Sequence, residues 1–145
     1  MNEHVVRVRV DLSGAPRSMI VNVEVDYERS WVFEEPGWQE IAFGVAEGRV
    51  YWWSARRLVL VPWNEDGEPA TVSTDEDIRL AFAVPLGWIL VCETSVRLMV
   101  GSQEVSRVEL SDVLLAARWE ESQLVVRAEN GSDLRVVISN GRLAT

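Results

Sequence analysis

Short β-type segments recur along this chain at near-constant spacing, and that recurrence limits the fold more than any other feature. Ile41-Ala42-Phe43-Gly44-Val45 returns 39 positions later as Leu80-Ala81-Phe82-Ala83-Val84, and a looser echo begins at Leu114. A second apolar run follows each copy (Val50 to Trp53, Trp88 to Cys92, Leu124 to Val126), and then a third (Leu58 to Val61, Val96 to Val100, Leu134 to Ile138). Short apolar runs separated by brief polar connectors read as antiparallel strands joined by hairpins.

The amino-terminal segment has a different grain. Val6, Val8, Val10 and Leu12 alternate with Arg7, Arg9 and Asp11. After a turn at 13–18, Met19, Val21, Val23, Val25 and Tyr27 alternate with Asn22, Glu24, Asp26 and Glu28. Period-2 alternation means one buried and one wet face, so 4–28 is expected as a hairpin, with Arg7 and Arg9 near Glu24 and Asp26. Beyond Trp31 the strands are apolar on both faces, as in Val50 to Trp53 and Leu58 to Val61, and such strands must be covered on both sides. The expected strands fall near 39–46, 49–54, 57–62 and 70–74; near 78–85, 88–93, 96–101 and 104–110; and near 112–119, 123–129 and 134–139, the last group lacking a fourth. Thr74-Asp75-Glu76-Asp77 and Ser111-Asp112 also resemble helix starts; the repeat context favours strands after both. Asn130-Gly131 and Asn140-Gly141 are turn signals, and 64–69 reads as a surface loop.

This organisation resembles β-propeller blade repeats in general, over about residues 39–139. It rests on pattern alone: neither the Trp-Asp nor the double-glycine blade signature is present. The resemblance implies an all-β single domain over 1–145, with antiparallel meanders stacked as about three propeller-like blades plus the hairpin at 4–28. Propellers have four to eight blades, so three imply either self-assembly into a ring or an open stack with an apolar face, which marks an interaction site.

Composition narrows the chemistry. The formal charge is −9, all 14 basic residues are arginine, and lysine is absent. An acidic chain repels phosphate backbones, so nucleic acid is not an expected partner, whereas a basic protein would be steered toward it. No Schiff-base or phosphate-gripping lysine exists. No apolar run is long enough to span a bilayer and residues 1–12 do not form a secretory core, so no membrane association and a cytoplasmic location are expected. Cys92 is the single cysteine and His4 the single histidine. With so few ligands and bases, no metal, no cofactor and no nucleophilic catalysis are expected. The acidic pairs Glu34-Glu35, Glu65-Asp66, Asp75-Glu76-Asp77 and Glu120-Glu121 fall in expected turns and read as solvated.

Seven tryptophans remain. Trp38 and Trp88 follow glycine and Trp63 follows proline, which places these three at strand ends where loops meet. Exposed rings there could anchor a protein or stack on sugars. The sequence therefore points to a non-enzymatic protein-binding protein. Its forms would be a toxin-neutralising immunity protein or a self-assembling subunit. Lectin-like sugar binding through Trp38, Trp63 and Trp88 is the alternative.

Overall fold

A computed structural model describes residues 4–46, 48–62 and 67–145. The described chain is all-β. Its strands are β1 (Val6–Gly14), β2 (Arg17–Val25), β3 (Arg29–Pro36), β4 (Ala42–Ala46), β5 (Arg49–Trp53), β6 (Arg57–Pro62), β7 (Ala70–Ser73), β8 (Ile78–Val84), β9 (Gly87–Cys92), β10 (Ser95–Val100), β11 (Gln103–Glu109), β12 (Leu114–Glu120), β13 (Gln123–Ala128), β14 (Asp133–Ser139) and β15 (Arg142–Ala144). They form four open meanders: β1-β2-β3, then β4 to β7, β8 to β11 and β12 to β15, each in sequence order.

Four sheets thus replace three blades and a separate hairpin. The amino-terminal hairpin gains β3 as a third strand, paired with β2 from Ser18↔Pro36 to Val25↔Arg29. The joining turn holds Asp26 and Tyr27 at φ 54° and 59°, the left-handed region normally marked by glycine. The Asp26 carboxylate steadies that turn by accepting from the Val5 N–H at 2.9 Å and from His4 Nδ1 at 2.7 Å. Arg7 does oppose Glu24, while Arg9 opposes Asn22. The fourth sheet is completed by β15 after the left-handed Asn140-Gly141 turn. Residues 78–84 and 114–120 are strands rather than helices.

The chain divides into two compact units, with the boundary inside β7 between Thr71 and Val72. In the first unit, Val21, Val23 and Val25 of β2 pack with Val50 and Trp52 of β5 and Val59 and Val61 of β6. The alternating sequence puts these side chains on one face of each strand, and burial contributes about 1.5–3 kcal/mol per large aliphatic side chain. The second unit repeats the arrangement with Ile89, Val91, Val96 and Leu98 against Leu114, Leu124, Val126, Val136 and Leu143. On the opposite faces Leu58 and Leu60 of β6, and Leu90 and Cys92 of β9, are buried too. Both strands are therefore apolar on either side because neither face meets water.

Candidate functional site

One structural device recurs where each of the last three sheets begins. A polar side chain just before the first strand reaches the hairpin between the second and third. Gln39 Oε1 accepts from the Ala55 N–H at 2.8 Å. Glu76 Oε1 accepts from the Thr94 N–H at 2.7 Å. Ser111 Oγ meets Ser132 Oγ at 2.9 Å and accepts from Asn130 Nδ2 at 3.2 Å. Hairpin tips carry backbone groups outside the ladder; the first two clasps each satisfy a backbone N–H, and the third ties side chains together. The acidic and hydroxyl residues that resemble helix caps in the sequence serve here as clasps.

Arginines reinforce two of the clasps. Arg97 on β10 is buried; its Nη2 donates to Asp75 Oδ1 and Glu76 Oε2, both at 2.7 Å, and its Nε to Ser95 Oγ at 3.0 Å. The Arg97 hydrogen bond holds the Asp75 carboxyl below its usual range. Burial works against ionised Glu76, but the Thr94 N–H and Arg97 outweigh it and its pKa is also lowered. In the first unit, Arg57 bonds the buried Glu35 carboxylate, which also accepts from Ser54 Oγ at 3.3 Å. These pairs hold the hairpins in place. Burial pushes the Cys92 thiol up to about 12, so it stays protonated and unreactive.

An exposed aromatic and apolar surface lies on the first unit. Gly37, at φ +72°, turns the chain out of β3, and its N–H donates to the Arg17 carbonyl at 2.8 Å. That turn brings Trp38 back over the β1–β2 hairpin. Its Nε1 donates to the Ser13 carbonyl at 2.9 Å, and the Arg17 guanidinium lies 4.6 Å from the ring centroid. Trp38 is thus held at two points while remaining 48% exposed. Gln39 locks the next step, its N–H meeting Met19 Sδ at 3.4 Å and its Nε2 donating to the Pro36 carbonyl at 3.0 Å. The chain then enters β4, where Phe43 and Val45 are 54% and 49% exposed although they stand opposite the buried Trp52 and Val50. Glu34 and Glu40, both exposed, flank the connector.

Of the three tryptophans singled out by sequence, only Trp38 presents its ring to solvent among the described residues. Trp88 is buried at the start of β9. Trp63 lies outside the described residues, as do Glu65-Asp66 and most of the expected 64–69 loop. Sequence reasoning passed over Phe43 and Val45, because the repeat marks them as ordinary core positions. A cleft of about 210 Å³ in the second unit, between Glu109, Ser111, Ser132 and Asp133 over an apolar floor of Val126 and Leu134, has no aromatic ring in its lining. No group of three or more potential metal ligands occurs among the described residues. Among the described residues no helix is long and apolar enough to cross a membrane. No protein-family model matches the chain, and no curated protein matches it.

Proposed function

We propose that this chain is a non-enzymatic binding protein that engages a basic protein partner through the Trp38–Phe43 surface. The observation that carries the reading is the state of Trp38: exposed, yet fixed by the Ser13 carbonyl and by Arg17. A ring held in advance loses little freedom on binding, and tryptophan and arginine are the residues that most often dominate protein interfaces. Phe43 and Val45 extend the apolar area, and Glu34 and Glu40 give it an acidic border suited to a basic partner. The chain's net charge of −9 acts in the same direction at long range. Neutralisation of a basic toxin is one form of this function. Propeller-like stacking of meanders would supply the rigid scaffold for it. Sugar binding has less support, since it calls for several exposed rings around a shallow site and Trp88 is buried.

The test is affinity capture from the native cell with the wild-type chain beside Trp38→Ala and Phe43→Asp. The expected result is a basic protein held by the wild type, released as salt rises, and lost by both variants with their circular dichroism unchanged. Equal retention by the variants, or turnover of a substrate by the purified chain, overturns the reading.

A further inference from the structure

The free edges of the sheets are unequal. The edge strands β4, β7 and β15 are short, with five, four and three residues. The edge strands β8, β11 and β12 take part in ladders broken by register shifts. The two edges of the first sheet are different. β1 pairs with β2 through nine consecutive residues, and β3 through eight, with no irregularity. Long regular edges template pairing with another chain unless something blunts them.

The β1 edge is open and oriented. The Asp26 N–H donates to the Val5 carbonyl at 2.8 Å. In an alternating antiparallel ladder this turns the odd-numbered backbone groups of β1 toward β2. Those of Val6, Val8, Val10 and Leu12 then face outward. Val10 and Leu12 are 38% and 62% exposed. Arg9 and Asp11, also exposed, lie on the other face and pair weakly along the strand at 3.4 Å.

We propose that two copies of this chain dimerise through β1, antiparallel about a two-fold axis at Val10. In that register Val10 meets Val10, Val8 meets Leu12, and Arg9 of each copy opposes Asp11 of the other. Every opposed charge is complementary, the outward backbone groups pair, and the exposed apolar side chains cover one another. The result is a continuous six-stranded sheet with an isologous interface. The β3 edge offers no such match, since its Glu35 is already engaged by Arg57. The dimer would also display the Trp38 surface twice. Its failure leaves that surface untouched, because capture is read with Trp38→Ala and Phe43→Asp and association with variants of β1.

Sedimentation equilibrium at about 0.15 M salt, where screening reaches ~8 Å, reads the mass directly. The wild type is expected to dimerise. Asp11→Arg, which sets Arg9 against a like charge, should weaken association at least tenfold. The exchange Arg9→Asp with Asp11→Arg should restore it. Val10→Pro, which removes only an outward N–H and is tolerated on an edge, should leave a folded monomer. A wild type that is monomeric at all concentrations overturns the proposal. So does a dimer indifferent to Asp11→Arg, or one that the charge exchange fails to restore.

Discussion

Phe43 and Phe82 occupy the same place in two four-stranded sheets, opposite Trp52 and Ile89. Their surroundings differ. In the second unit, Phe82 meets Trp119 of β12 edge-on at 5.7 Å, and the Leu143 N–H on β15 donates to Ser106 Oγ on β11 at 3.0 Å. The facing sheets are matched from first strand to last, and Phe82 and Val84 pack onto the core. In the first unit the facing sheet has three strands. Phe33 of β3 rests on Trp52 at 5.4 Å, and Arg57 reaches across to Glu35. Cover is concentrated over β5 and β6, and the β4 rim stays open. The same five-residue pattern therefore gives core in one unit and surface in the other, according to the sheet laid over it.

The two Gly-Trp steps differ in the same manner. Gly37 is a turn residue with open space around it and sends Trp38 outside the sheet. Gly87 is a strand residue; a Cβ there would come within 2.1 Å of the Met99 carbonyl oxygen. Trp88 follows it into the core.

Three measurements would break or sharpen the contrast. The largest effect is expected at the glycines. Gly87→Ala must shift backbone and should cost about 3 kcal/mol, whereas Gly37→Ala bears only left-handed strain of about 1 kcal/mol. Urea midpoints of the two variants check this, and equal values would mean that Gly87 is not held against β10. Next, Phe82→Ala should destabilise by about 2 kcal/mol through lost packing, and Phe43→Ala by no more than ~0.5 kcal/mol. A large loss at Phe43 would show that its ring is covered, and would count against the proposed contact surface.

The smallest effect is pH dependence. Asp75 and Glu76 have lowered pKa values in the folded state. Their stabilisation is thus complete above the ordinary carboxylate values of about 4 and is lost as pH falls through the depressed folded values. Arg97→Gln should flatten that acid limb in thermal melts taken between neutral pH and about 3. An unchanged limb would place the dependence elsewhere, with Asp133, held low by Arg127, the first alternative.

Much of the fold was legible in the chain. Strand positions from β4 to β14 follow from short apolar runs, and the Asn130-Gly131 and Asn140-Gly141 turns from residues that tolerate positive φ. β3 was hidden because its turn uses Asp26 and Tyr27, with no glycine to announce it. β15 was hidden because three residues carry no periodicity. Of the candidate surface, Trp38 was visible from its glycine, but Phe43 and Val45 were not.

Sequence alone determined the local order: which residues form strands, which face each side chain takes, and where turns reverse the chain. These depend on backbone sterics and on a period of two, both set by near neighbours. Only the tertiary structure decided which of the equivalent apolar faces meet water. That depends on the strand lying opposite, which is distant in sequence, and on whether the covering sheet has three strands or four.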